Sequence, residues 1–139
     1  MKALITVTGL QKTDGEVNKT EIITEGEYEK TDYGWLIKYD ETDATGYEGA
    51  HTQLQLHNDG KLQLIRTGSV LSDLLVEPNE KNYCQYGTPY GMMTVGIYGK
   101  RTANNLTEKG GDASATYVMD INSSLVGEYA IRIKVKIVN

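Results

Sequence analysis

Phenylalanine is absent from this chain, and cysteine, tryptophan and proline are scarce: one Cys, one Trp and two Pro in 139 residues. A lone cysteine, Cys84, excludes an intramolecular disulfide and makes a reducing compartment the default. Two prolines exclude a Pro-rich linker. No stretch approaches the roughly 20 consecutive apolar residues of a membrane helix. Met1 to Leu10 lacks the unbroken apolar run and small-residue cleavage site of a secretory signal. These absences predict a cytoplasmic protein with no membrane association. Metal chemistry has little to work with. His51 and His57, the only histidines, lie about 20 Å apart if they share a strand, so no transition-metal site and no cofactor are expected. Neither histidine belongs to a recognisable Ser or Cys constellation, and the many carboxylates carry no spacing that marks a glycosidase. Sustained helical periodicity is missing too.

What the chain has instead is alternation. Ile131, Ile133, Val135 and Ile137 fall on one face of a strand, with Arg132, Lys134 and Lys136 on the other. The period of two recurs nearly end to end and predicts strands near 2–11, 20–30, 34–41, 50–57, 61–67, 70–77, 82–88, 92–101, 113–121 and 128–138. Turns are predicted at Asp14-Gly15, Tyr33-Gly34, Asn58-Asp59-Gly60 and Gly110-Gly111-Asp112, and the polar stretch 102–109 reads as a loop with room for one helical turn. Such a chain must bury one side of a continuous antiparallel sheet, as an all-β up-and-down barrel of about 8–10 strands or as two stacked sheets. Gly9, Gly26, Gly68, Gly96 and Gly99 fall inside or beside strands, where a small closed barrel turns its corners. One domain spans 1–139.

Ten tyrosines replace the missing phenylalanine, and they suit half-buried strands or a wet barrel mouth. The formal net charge of −5 speaks against general nucleic-acid binding, whose affinity comes mostly from neutralising phosphates. The charge is uneven, −6 over residues 1–48 and +1 over 49–139, yet most acids alternate along strands as a solvated face would. The basic stripe Arg132, Lys134, Lys136 could meet an acidic partner, but lysines on an outer strand face also simply keep it unpaired.

Several local runs resemble a known family. They are Ile37-Lys-Tyr-Asp-Glu, Thr45-Gly-Tyr-Glu-Gly with Thr52 following, Leu64-Ile-Arg-Thr-Gly, Tyr86-Gly-Thr-Pro-Tyr-Gly, Thr94-Val-Gly-Ile-Tyr, Gly110-Gly111 and the C-terminal pair through Gly127-Glu128. In this order, over essentially the whole chain, they resemble the YwiB-like bacterial family, a domain of unknown function. The resemblance implies a calycin-like β-barrel, related in architecture to lipocalins, fatty-acid-binding proteins and streptavidin. It brings no established activity and no catalytic residue. The chain departs from those better-understood relatives. Gly34 and Trp35 are adjacent and on the third strand, where lipocalins have Gly-x-Trp on the first. The interval 11–19 is too short for a helix-turn-helix lid. Arg132 is followed by Ile133 and Lys134, not by the Arg-x-Tyr of a fatty-acid site. Fold alone therefore does not supply the function.

Two inward rows end in charge, Trp35-Ile37-Tyr39-Glu41 and Leu62-Leu64-Arg66. A buried Arg66 must find an anion, because an unpaired buried charge costs several kcal/mol. Glu41 or Glu48 could pair with it, or an acidic ligand could take the guanidinium fork. Trp35 reads as a core plug at one end, and Trp35, Tyr39 and Met92 or Met93 would line a cavity if the interior is hollow. A barrel of about eight strands can equally be filled by side chains. Thr88-Pro89-Tyr90-Gly91 reads as a shaped turn, with either isomer open at Thr88-Pro89; Tyr90 then either reaches the mouth or packs over a core end. The expectation is a binding protein rather than an enzyme, holding a small, anionic ligand through Arg66, Tyr90, Tyr39, Trp35 and Glu41. The alternative is a protein-interaction or homodimerising module with a filled barrel.

Overall fold

A computed structural model describes residues 1–43, 46–88 and 90–138. Ten strands follow one another: β1 (Lys2–Thr13), β2 (Glu16–Lys30), β3 (Gly34–Asp40), β4 (Ala50–His57), β5 (Leu62–Gly68), β6 (Ser72–Val76), β7 (Lys81–Thr88), β8 (Gly91–Thr107), β9 (Gly110–Ile121) and β10 (Ser124–Ile137). Each strand pairs with its sequence neighbours and β10 returns to β1, so the sheet closes as an antiparallel up-and-down barrel. Of the two arrangements the alternation allowed, the chain takes the closed barrel, consistent with the calycin-like architecture that the family resemblance implied. The described residues contain no α-helix and none long and apolar enough to cross a membrane.

The alternation is what closes the barrel. Ala3, Ile5 and Val7 on β1, Trp35, Ile37 and Tyr39 on β3, Leu54 and Leu56 on β4, Leu62 and Leu64 on β5, and Ile133 and Val135 on β10 all turn inward and are buried. Their intervening neighbours face solvent, which satisfies the period-two rule on both sides of the wall.

The chain reverses where expected at Asp14-Gly15, whose φ angles of 49° and 80° are those of a type I′ hairpin turn. Asn122 and Ser123 make a second such turn, with φ of 52° and 67°, so β10 begins at Ser124 rather than near 128.

Of the stretch 102–109 only 108–109 turn; 102–107 are strand. β8 runs through Thr107 and pairs with β9 from Gly96↔Asp120 to Thr107↔Gly110, with a bulge between Gly99 and Arg101. Ala103, Asn104, Asn105 and Thr107 are exposed and only Leu106 is buried on this part of β8, while the core there is filled from the partner strand by Ala113 and Ala115; the backbone ladder supplies the order. Gly110 and Gly111 accordingly open β9 instead of forming the turn. Their φ values are 99° and 137°, and a Cβ on either would run into the carbonyl oxygens of Val135 or Asn105.

Two seams in the wall are short. β2 meets β3 only over Glu27–Lys30 against Trp35–Lys38, and β6 meets β7 only at Ser72↔Tyr86 and Asp73↔Gln85. At the second seam the Cys84 thiol stands in for a ladder bond: its Sγ accepts from the Leu75 N–H at 3.3 Å. Burial pushes that thiol above its ordinary pKa.

The two ends differ. At one end Tyr28 and Trp35 stack with centroids 4.5 Å apart, and the Tyr28 hydroxyl donates to the Thr107 carbonyl at 2.8 Å. Here the barrel is plugged. The other end, which carries the connections after β1, β3, β5, β7 and β9, is where polar side chains turn inward.

Candidate functional site

The strand register makes one continuous inward row around part of the open end. Tyr39 on β3 lies opposite Thr52 on β4, Thr52 opposite Arg66 on β5, Arg66 opposite Ser72 on β6, and Ser72 opposite Tyr86 on β7. Glu41, just beyond β3, is tied back by its N–H to the Ala50 carbonyl at 2.9 Å. A cavity of about 220 Å³ lies inside this row. Tyr39, Glu41, Tyr47, Leu64, Arg66 and Tyr86 line one side; Val7, Ile22, Tyr117, Met119, Tyr129 and Ile131 line much of the other. Gln11, Asn18 and Thr20 add neutral polar groups from β1 and β2.

Arg66 is the centre of the arrangement. Its side chain is only 13% exposed and its Nε lies 3.7 Å from Oε1 of Glu41, which is 1% exposed. That separation is an ion pair but too long for a hydrogen bond. The buried Nε has no hydrogen-bond acceptor among the described residues. Oε1 of Glu41 meanwhile accepts from the Thr52 hydroxyl at 2.8 Å. The guanidinium carbon sits 4.2 Å from the centroid of the Tyr47 ring, a cation–π contact that holds the fork flat against one wall.

The tyrosines around Arg66 form a linked set. The Tyr47 and Tyr86 hydroxyls are 3.3 Å apart, and Tyr117 and Tyr129, partners across β9 and β10, stack at 5.3 Å. Burial drives Tyr39, Tyr86 and Tyr117 far above the ordinary phenol pKa, with the Glu41 charge adding to the effect at Tyr39 and the Tyr47 hydrogen bond at Tyr86. Tyr129 is raised for the same main reason. These hydroxyls stay protonated and can donate.

Of the residues singled out in the sequence, the fold brings Arg66, Glu41 and Tyr39 together and keeps two apart from them. Trp35 plugs the opposite end on Tyr28 and is not in the cavity wall. It is the second residue of β3, four residues before Tyr39, so the same inward face carries it away from the mouth. Tyr90 lies in the connection after β7, at the open end, but is 99% exposed and outside the cavity lining. The isomer at Thr88-Pro89 involves Pro89, which lies outside the described residues. Met92 is exposed, and Met93 packs partly buried against the core without lining the cavity.

His51 is bound on the outer face to Asp40, Nδ1 to Oδ1 at 2.6 Å, and His57 stacks on Tyr33. Among the described residues no three His, Cys, Asp or Glu side chains are grouped to hold a metal ion. Arg132, Lys134 and Lys136 point outward and are exposed. The residues the sequence did not single out are Tyr47, Tyr86, Tyr117 and Tyr129. The signal available for them was the surplus of tyrosine over phenylalanine; their convergence depends on strand register, which composition does not contain.

No curated protein matches the chain. The crystal structure of ywiB protein from Bacillus subtilis superposes with a TM-score of 0.79 at 19% identity, covering 96% of this chain and 90% of that one. At that identity the likeness is one of fold. A family model described as Domain of unknown function (DUF1934) matches residues 5–133, and with that span matched, in keeping with the motif resemblance, the chain belongs to this YwiB-like family.

Proposed function

We propose that the protein is a non-catalytic binder of a small molecule, held in the cavity at the open end of the barrel with a hydrogen-bond-accepting, anionic group against Arg66. The observation that carries this reading is Arg66, a residue of the cavity wall whose buried Nε has no hydrogen-bond acceptor among the described residues. Leaving a buried charged donor unsatisfied costs more than a typical hydrogen bond gains, roughly 1–3 kcal/mol or more, and a ligand removes that cost. The volume, about 220 Å³, lies below the ~300–1,000 Å³ of drug-sized pockets, which favours a short-chain or single-ring molecule. The described lining contains no histidine, cysteine or lysine, and the Cys84 thiol is engaged at the β6–β7 seam.

The test is thermal denaturation of the wild type and Arg66→Lys against a panel of small organic acids and their neutral analogues. Lys keeps the charge facing Glu41 but loses the planar fork. A cavity ligand at about 100 times its Kd stabilises the fold by roughly 2.7 kcal/mol. The reading expects such compounds to raise the wild-type Tm and to lose most of that effect in Arg66→Lys. Compounds that stabilise both proteins equally would place binding elsewhere.

A further inference from the structure

At the open end β2 outruns its neighbour. Glu27 faces Lys38, and continuing that register puts Glu25 beside Asp40, the last residue of β3. β2 extends from there to Glu16, past the end of β3. The backbone groups that this overhang presents follow from the far end of the strand. Tyr28 exchanges both backbone hydrogen bonds with Met1, at 2.8 and 3.0 Å. Even-numbered residues of β2 therefore bond β1, and odd-numbered ones turn their N–H and C=O groups the other way. Val17, Lys19, Glu21 and Ile23 thus direct theirs to the side where β3 is missing, and among the described residues these groups have no backbone partner.

A free edge of this kind is a template for another strand. The overhang has neither a proline nor a bulge to blunt it, and Glu16 to Glu21 are exposed throughout. On the outer face Val17 and Ile23 are 59% and 60% exposed. Lys19 and Glu21 lie between them; the Glu21 carboxylate accepts from the Thr8 hydroxyl at 3.3 Å in an exposed contact.

The overhang is complementary to itself. Laid antiparallel on the same strand of a second copy about Thr20, it sets Val17 against the partner's Ile23 and Lys19 against the partner's Glu21, and the two-fold repeats both contacts in reverse. These are the four edge-facing residues, so each pair also exchanges two backbone hydrogen bonds. Neighbouring registers lose the match. Centring on Glu21 opposes two carboxylates, and centring on Lys19 opposes two ammonium groups. Centring on Ile22 sets Val17 against the partner's Glu27 and Glu21 against the partner's Ile23.

We propose that this edge is a self-association surface, on which two copies pair β2 with β2 about Thr20. The occupant is a second copy rather than a foreign peptide because the apolar and charged positions of one short segment answer each other. The proposal stands apart from the binding reading and holds whether the cavity is occupied or empty.

The experiment is sedimentation equilibrium of the intact protein over a wide concentration range, with Lys19→Glu, Glu21→Lys and the double variant. The wild type is expected to be a dimer in equilibrium with monomer. Each single variant opposes like charges at both symmetry-related pairs and should weaken the dimer roughly tenfold or more. Combining the two substitutions in one chain exchanges the charges and should restore it. Mixing the two single variants should also restore it, because every Glu then meets a Lys, and a variant that had merely misfolded would not be rescued in this way. A wild type that is monomeric at every concentration overturns the proposal and gives the edge to a strand of another protein. A wild-type dimer that both single variants keep overturns it by placing the contact on another face. Single variants that dissociate but do not associate when mixed overturn the register, and the proposal with it.

Discussion

Arg66 and Glu41 are held by opposing costs. Each is buried, each compensates the other, and Thr52 supplies the hydrogen bond that the long Arg66 contact does not. Removing one partner takes the counter-ion from the other's buried charge, a loss of roughly 3 kcal/mol or more, whereas removing both can be nearly neutral. Arg66→Met alone should therefore lower the urea midpoint strongly, and adding Glu41→Gln should restore most of the loss. Additive losses in the double variant would mean the pair is not coupled. Which residues turn inward was legible from alternation alone: Trp35, Ile37, Tyr39 and Glu41 are all buried, as the period of two requires. That Arg66 meets Glu41 through Thr52 was not legible, because it depends on register across β3, β4 and β5.

At the scale of the element, close packing of strands decides which residues are tolerated. The segment after β6 crosses β8 at Gly99, where the Asn79 N–H donates to the Gly99 carbonyl at 2.8 Å and the Gly99 N–H to the Glu80 carbonyl at 3.1 Å. A Cβ there would collide with the Glu77 carbonyl. Gly99→Ala should destabilise by about 2 kcal/mol, within the range of overpacking a tight contact, and a variant as stable as the wild type would show that the crossing can shift. The plugged end has a milder test. Tyr28→Phe deletes the hydroxyl bond to the Thr107 carbonyl and should cost about 1 kcal/mol, measured as a shift in the denaturation midpoint. Cys84, buried in the β6–β7 seam with its thiol pKa raised by burial, should react with thiol reagents only as fast as that seam opens. Labelling at the rate of a free cysteine would contradict the seam. The arm formed by β8 and β9 is where the sequence misled. From 102 to 107 only Leu106 is buried, the core there being filled by Ala113 and Ala115 of β9, so a stretch with turn-like composition concealed a paired strand.

For the whole molecule, the tyrosines tie stability to alkaline pH. Tyr28, Tyr39, Tyr86 and Tyr117 all have folded pKa values raised above the ordinary 10.0, chiefly by burial. Folding thus favours their neutral forms. The contribution is fully present below the unfolded value of 10.0 and is lost as pH rises beyond it toward the folded values. The denaturation midpoint should begin to fall near pH 9, where the unfolded Cys84 thiol ionises, and fall more steeply beyond about pH 10, with tyrosinate absorbance appearing together with unfolding. Tyrosinate formation by these residues in an intact barrel would contradict their burial. That the chain buries one face of an antiparallel sheet was legible from its ten alternating runs, and the family resemblance implied the closed barrel, whereas alternation alone left two stacked sheets open. Whether its interior was filled or hollow was not, because that depends on how Tyr47, Tyr86, Tyr117 and Tyr129 converge on Arg66 from separate parts of the wall.

The claim that this cavity serves to bind is tested most directly by mass spectrometry of the protein purified from its own cells, first under native and then under denaturing conditions. A small molecule carried in the native ion and released on denaturation is the expected result. A bare native mass that also gains nothing from the added small-molecule panel would contradict it, and would turn attention to the outer faces of the barrel.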